Sequence, residues 1–316
     1  MKSDAINNKI RDGSRIATFF IYAVALIICL ITIYPMYYVV IRSISDPQMA
    51  LGHPPVFYPR GLYFGSYALI FKDSRLWLSY GNTLIYVVSN TVLMIFTSVM
   101  TAYPLVGNKL AGRKFVIAYI LVPMYFGGGM IPTFLLINRL GLYNTRMALI
   151  LPAAVGIWNI ILVRTYFNTL PTSLSESAFI DGARHFQVLF RIFVPLSKPI
   201  IAVIAIYTIV GVWNSWFGAN IYQTNPDLHP LQMYLQRILI AQTVDLTKLK
   251  TQEDMMAAQE TALTAQQLKY ALIVFITLPI LFVYPFFQKS FMKGIMMGSL
   301  KGYRRSRPSA AEIINV

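Results

Sequence analysis

The chain has 316 residues, 56% of them hydrophobic and 12% charged, with a mean hydropathy of +0.57. A soluble domain is about half apolar and about a quarter charged, so a disordered, fibrous or disulfide-rich secreted protein is excluded and a cytosolic enzyme is disfavoured. The net charge of +15 would suggest nucleic acid in a soluble protein; in a membrane protein it reflects anchoring and topology, and no nucleic-acid partner is expected. The single cysteine, Cys29, can form no intrachain disulfide.

A helix needs about 20 mostly apolar residues to cross a bilayer core of roughly 30 Å. Six stretches lack Asp, Glu, Lys and Arg altogether: residues 16–41, 76–108, 115–138, 147–163, 199–226 and 270–288. The first is too long for the core of a signal peptide and is read as a retained helix, bent near Pro35. The fourth is at the short limit, where Arg164 can snorkel to a headgroup. The expected fold is therefore an all-α polytopic membrane protein with six transmembrane helices in a single domain, residues 1–316. Lys and Arg set its orientation. With the N-terminus inside, the inner segments carry 17 of the 27 basic residues. Both termini are expected in the cytoplasm, with residues 221–269 forming an extracytoplasmic loop.

The loops differ in character. The first outer loop holds HPPVFYPRGLYF and reads as an extended segment at the membrane surface. The third, residues 221–269, opens on Asn225, Pro226 and Asp227 and continues with Leu231, Tyr234, Leu235, Ile238 and Leu239 at helical spacing. The inner loop at residues 171–197 reads LPTSLSESAFIDGARHFQVLFRIFVPLSKP through its flanks. Ser173 or Ser175 can cap a helix, with Glu176 in its first turn. Gly182 permits a bend. Phe186, Leu189, Phe190 and Phe193 define a second, amphipathic helix, and Pro195 and Pro199 mark the entry to the next span. Two helices meeting at a bend make a knob on the cytoplasmic face.

The spacing Glu176-Ser177-Ala178, three residues, Gly182, nine residues, Ile192-x-Val194-Pro195 resembles the EAA loop of ABC-importer permease subunits. VWNSWF resembles the carbohydrate branch similar to the maltose permease subunit MalG, and PMYFGGGMIPTFLLINRLGLYNT looks like the LplC/YtcP-type permeases, linked with complex oligosaccharides. The resemblance implies a type I ABC importer transmembrane domain in the bacterial plasma membrane, its core permease at about residues 76–290. It implies pairing with a second, homologous permease, a dimer of cytoplasmic ATP-binding subunits holding ATP and Mg, and an extracytoplasmic solute-binding protein that delivers sugar. No cofactor is expected on this chain. The coupling motif carried over by position is Glu176, Ser177, Ala178 and Gly182, with Asp181 and Ala183 beside them.

Sugars stack on aromatic faces and are read by amides and hydroxyls, and a water-lined cavity lets such groups sit at membrane depth. The candidates for a solute path are Trp213, Asn214, Tyr207, Asn90, Tyr125 and Gly128, with Asn82, Tyr86, Trp158, Asn159 and Trp216 behind them. The run Gly127-Gly128-Gly129 interrupts the third helix in the manner of a broken transporter helix. No enzyme signature is present. His53, His185 and His229 lie on separate loops without metal spacing, no ionisable group lies within the apolar stretches, and there is no P-loop. The alternatives are an ABC permease for another polar solute and a non-transport membrane scaffold.

Overall fold

The computed structural model describes residues 2–52, 57–107, 110–241, 263–282 and 285, and among these the regular structure is entirely helical. The helices are α1 (Lys2–Ile44), α2 (Gly65–Lys72), α3 (Ser74–Ala102), α4 (Arg113–Tyr125), α5 (Met130–Arg139) and α6 (Ile157–Phe167). They continue as α7 (Thr172–Ile180), α8 (His185–Leu196), α9 (Lys198–Trp213), α10 (Phe217–Tyr222), α11 (Leu231–Ala241) and α12 (Leu263–Phe282). Short helical turns connect some of them.

Each of the six charge-free stretches carries helix, but not as six straight crossings. Ala17–Ile44, Ser74–Leu105 and Leu263–Phe282 are long and apolar enough to cross alone. The count becomes five if each of two bent pairs is one span. The third stretch gives α4, whose 13 residues rise about 20 Å, short of a core of roughly 30 Å. The chain leaves the helix at Phe126, takes a positive φ of 84° at Gly129 and re-enters as α5 at an angle of 110°. A side chain disfavours that backbone conformation, and the third glycine of the run allows it. The fourth stretch gives a single helical turn at Met147–Ile150 and then the start of α6, whose 11 residues run on past the stretch to Phe167. The fifth stretch is free of charge as far as residue 226 and the expected loop begins at 221, yet α9 stops at Trp213. Asn214 ends it by turning its Nδ2 back onto the Val210 carbonyl at 2.9 Å, a side-chain bond that competes with the helical ladder. VWNSWF thus straddles a helix end. Further upstream, α1 passes through Pro35 unbroken; of the segment expected to be extended, residues 57–64 carry no helix and 53–56 lie outside the described residues, and the eight-residue α2 follows it.

The described residues form two compact units. One combines residues up to Asp73 with Ile238–Ile276; the other holds Ser74–Arg237 and the chain from Thr277 onward. In the first, Gln267 is the fastener. It is almost fully buried, donates to the Ser45 carbonyl at 2.6 Å and accepts from the Ser66 hydroxyl at 3.2 Å. In the second, Val99 and Ala102 of α3, Ile160, Val163 and Phe167 of α6, Val188, Leu189 and Phe193 of α8 and Ile204 of α9 share one core. Lipid tails are as apolar as these side chains, so such a core is held by close packing rather than by transfer out of water.

The loop after α10 is fixed by polar groups of α3. Asn82 Nδ2 donates to the carbonyls of Asp227 at 2.6 Å and His229 at 3.3 Å, and Asn82 Oδ1 accepts from Arg146 Nη2 at 3.0 Å. The Tyr86 hydroxyl donates to the Leu228 carbonyl at 2.7 Å and accepts from Gln223 Nε2 at 2.8 Å. Thr83 Oγ1 accepts from the Leu231 amide at 2.8 Å, which seats the start of α11. Among the described residues only Gln223 Oε1 in this latch is buried without a partner; its other buried side-chain groups are paired, as a water-poor setting demands. His229 completes the latch. Its Nε2 lies 3.1 Å from the Gln223 carbonyl, which can only accept, so Nε2 carries the proton. Burial, assisted by Arg237, holds the imidazole below its ordinary pKa, against the opposing pull of the Gln223 carbonyl and Asp227.

The sign of the pH effect follows. A neutral folded histidine and an unfolded one titrating near 6.5 bind equal protons at higher pH; below that, only the unfolded chain takes one up. The latch is expected to lose stability as pH falls below about 6.5 and to be insensitive above it. Thermal unfolding of the purified chain from about pH 7.5 to about pH 5.5 checks this, with His229→Gln flattening the acid limb.

Candidate coupling site and solute path

Residues 171–197 form the expected helix, glycine turn and second helix, but their local chemistry differs from the expectation. α7 opens at Thr172 directly after Pro171, and no side chain caps it. Ser175 lies inside the helix and donates back to the Thr172 carbonyl at 2.8 Å, so neither serine is the cap and Glu176 falls in the second turn. The far end is where the motif acts. The Gly182 amide donates to the Phe179 carbonyl at 3.1 Å and the Ala183 amide reaches back to the Ala178 carbonyl at 2.9 Å. With Gly182 at φ 81°, these bonds make a Schellman motif, which satisfies the orphan carbonyls of the last turn. The two alanines bracket that motif. Both are half-buried against the core of the second unit, so the small residues at these positions serve the chain's own packing. Glu176, Ser177 and Asp181 are exposed.

α8 departs from the expected amphipathic helix for a similar reason. Residues Leu189–Phe193 form a π-helical turn, whose extra residue rotates the faces on either side of it. Leu189 and Phe193 are buried as expected, but Val188 joins them while Phe186 and Phe190 remain exposed. Gln187 steadies the entry by accepting from the Arg184 amide at 2.7 Å.

Rings tie the knob to the membrane helices. Phe193 meets Phe167 and Tyr103 edge-on, each at 5.2 Å between centroids. His185 packs on Phe179 at 4.9 Å and on Tyr103 at 6.3 Å. Edge-to-face pairs of this kind contribute about 0.5–1.5 kcal/mol each beyond their area. Beside them opens a cavity of about 810 Å³, lined among others by Tyr103, Glu176, Phe179, His185 and Phe186.

The solute-path candidates are dispersed. Trp213 is buried and meets the edge of Tyr80 at 5.8 Å. Asn214 accepts from Gln232 at 3.4 Å, so it braces α11 as well as ending α9. Tyr207 is exposed on α9, and Tyr125 lies exposed at the break that Gly128 occupies. Asn90 is 1% exposed; its Nδ2 bonds the Tyr86 carbonyl, and its Oδ1 has no partner among the described residues. The 810 Å³ cavity is lined by none of these six. Asn82 and Tyr86 are occupied by the latch. The sequence reading missed Gln223, His229 and Arg146 as its other members; the only signal was the turn at residues 225–227.

The sequence model of the binding-protein-dependent transport system inner membrane components matches residues 61–297. Protein LplC of Bacillus subtilis (strain 168) is 37% identical over 272 residues, covering 86% of this chain and 90% of that one. The polygalacturonan/rhamnogalacturonan transport system permease protein YtcP of the same strain is 34% identical over 290 residues, covering 92% and 99%. The crystal structure of a bacterial ABC transporter involved in the import of the acidic polysaccharide alginate aligns with a TM-score of 0.78 at 31% identity. That alignment covers 88% of this chain and 97% of its counterpart. The protein is thus a permease component with the type I ABC-importer fold, a multi-pass inner-membrane transport subunit and not an enzyme. It belongs to the family of binding-protein-dependent transport system inner membrane components.

The Schellman geometry yields a discriminating test. A Cβ on Gly182 would meet nothing within 4 Å, so the demand there is on the backbone alone. A β-branched residue in this conformation is strongly disfavoured, at about 1–2 kcal/mol or more, whereas Asn adopts it readily. Gly182→Val is expected to lower coupled transport severely while the chain still reaches the membrane, and Gly182→Asn to retain most of it. Equal losses in both, measured as substrate-stimulated ATPase activity of the assembled transporter, would refute the backbone explanation.

Proposed function

We propose that this chain is one of two permease subunits of an ATP-driven importer of oligosaccharides. It spans the membrane six times with both termini in the cytoplasm. The bent pair α4–α5 counts as one span, α9 is another, with α8 left to the cytoplasmic knob, and α6 forms a short one. Relatives support the substrate class: YtcP by its name serves polygalacturonan and rhamnogalacturonan, AraQ of two bacilli serves arabinooligosaccharides, and the aligned structure is an alginate importer. A solute-binding protein delivers the sugar from outside. ATP and Mg are bound by the partner ATPase dimer, not by this chain.

The observation that carries the reading is the knob. Glu176, Ser177 and Asp181 face outward as contact groups; Ala178, Gly182 and Ala183 hold the turn that presents them. Ile180 stands at the tip, 86% exposed, flanked by exposed Leu174 and Phe186. Large apolar side chains so exposed at a polar turn are unexplained in an isolated subunit and suit the centre of an interface with a soluble partner. The solute path is assigned to Trp213, Asn214, Tyr207, Asn90, Tyr125 and Gly128, whose exposed members face the second permease across the pore.

Uptake of labelled oligosaccharide by the reconstituted complex tests the function directly. Ile180→Asp places a charge at the centre of the contact, and at least a tenfold drop in coupled uptake is expected, the equivalent of about 1.4 kcal/mol of interface. Binding-protein-stimulated ATPase activity should fall in step while the permease pair stays assembled. Full uptake by this variant would remove the knob from the coupling path, and unchanged uptake by Asn214→Leu would remove that residue from the sugar's route.

A further inference from the structure

The segment that leads into α6 loses regular structure inside the membrane. α3 with its one-turn extension, Ser74–Leu105, is long and apolar enough to cross alone, and it serves as a ruler. Charge marks its inner end, where the Leu105 carbonyl accepts from Arg113 Nε at 3.0 Å and from Arg164 Nε at 3.2 Å. From that level Thr97 is a rise of about 12 Å further in and Met94 about 16 Å, near the middle of a core of roughly 30 Å. Thr97 Oγ1 donates to the Ala154 carbonyl at 2.6 Å, and a Cβ on Gly156 would come within 2.8 Å of Met94 Sδ. Residues 151–156, between the turn at Met147–Ile150 and the start of α6, are therefore irregular backbone at membrane depth.

Irregular backbone persists at such depth only where protein buries it or water lines it. This chain does not bury it: Leu151 is 53% and Val155 58% exposed. Trp158, in the first turn of α6, is 57% exposed and points away from Ile160, Val163 and Phe167, the residues that α6 packs into the core. Its indole makes no hydrogen bond or ring contact among the described residues, and the Asn159 carboxamide beside it makes no hydrogen bond there. Asn159 Nδ2 stands where only a glycine leaves room, 2.9 Å from the position of a Cβ on Gly156. An indole and an amide without partners, beside a water-lined stretch in mid-membrane, match a sugar. The indole covers its apolar face, and the indole N–H and the amide bond its hydroxyls.

We propose that Trp158 and Asn159 form a sugar-binding station within the membrane, bordered by residues 151–156 and open to a water-filled path. The inference rests on the importer reading above and adds a site on α6 to the path assigned there. One sugar ring lies against the indole, and the Asn159 carboxamide donates to and accepts from its hydroxyls. Delivery by the binding protein sets how uptake responds to external sugar, so a station inside the membrane acts on the maximal rate.

The test uses the assembled transporter in proteoliposomes, with labelled trisaccharides of galacturonate and of arabinose as probes. Cys29→Ser first removes this chain's only cysteine. Trp158→Cys and Val155→Cys are then treated separately with a charged methanethiosulfonate, which modifies thiols in water, and modification is read as mass added to this chain. Both are expected to react. A transported trisaccharide should slow the reaction of Val155→Cys at least about fivefold, and adding Trp158→Ala should abolish that protection. Trp158→Ala alone should lower the maximal uptake rate about tenfold with the half-saturating concentration nearly unchanged, and Trp158→Phe should keep most of the rate. Reaction of the two thiols only with a lipid-soluble maleimide would overturn the proposal by placing this face in lipid. A disulfide from Trp158→Cys to the second permease, in place of modification, would overturn it by assigning the face to protein. Full-rate uptake by Trp158→Ala would remove the station and leave the importer reading standing, whereas uptake of neither probe by the wild type would count against that reading and the station together.

Discussion

The structure turns on the edge-to-face contact of Phe193 with Phe167 and Tyr103. Phe193 belongs to the knob, Phe167 ends α6 and Tyr103 lies just past α3. One ring therefore fixes the knob to two membrane helices at once. The contact exists because α8 contains a π-helical turn: with regular winding, the sequence would place Phe186, Leu189, Phe190 and Phe193 on one face and leave Val188 off it. The extra residue brings Val188, Leu189 and Phe193 inward together, and the exposed Phe186 and Phe190 are the counterpart of that rotation. A family of transport subunits that must pass motion from a soluble ATPase to membrane helices requires a stiff joint here, and close-packed rings resist compression better than a polar contact open to water.

The family motif acquires a physical meaning in this setting. Ala178, Gly182 and Ala183 occupy the positions of a Schellman turn, where one residue must take a positive φ and its neighbours must be small enough to lie against the core. The exposed acids and Ser177 are left free to meet another molecule. On the coupling role proposed above, the motif divides into a part that shapes the loop and a part that is exposed for a partner. Substitutions at Gly182 would then act through the backbone, and substitutions at Ile180 or Glu176 through the proposed interface.

Much of this was legible in the sequence. Absence of charge located the helices, because burying an ion in hydrocarbon is costly enough to exclude it. The glycine run located the break between α4 and α5, and Pro199 located the start of α9. What escaped was information held by tertiary contacts. The end of α9 at Asn214 goes with a side-chain bond to the Val210 carbonyl, although the charge-free stretch runs on to Pro226. The latch depends on residues far apart in the chain: Tyr86 and Gln223 meet across 137 positions. Asn82 and Tyr86 had the chemistry of a sugar site, and only their partners show that it is spent on holding a loop. Polarity at membrane depth marks a functional group or a structural one, and composition alone does not separate them.

The same principle bears on Asn90, which differs from its neighbours on α3. One helical turn beyond Tyr86, it is equally buried, yet its Oδ1 has no partner among the described residues. A buried amide oxygen without a partner costs about 1–3 kcal/mol, so its retention needs a compensating gain. Ordered water can supply one bond, but Thr91 Oγ1 and Ser98 Oγ on the same helix are likewise without partners. Three unmatched acceptors or hydroxyls on one span, set between the polar latch at one end and an apolar ring cluster at the other, are poorly suited to a helix that only fills space. They suit a helix that meets water or a hydroxylated solute in another state of the transport cycle. On this argument Asn90, rather than the fully engaged Asn82 or Tyr86, is the group on α3 whose chemistry remains available to the sugar.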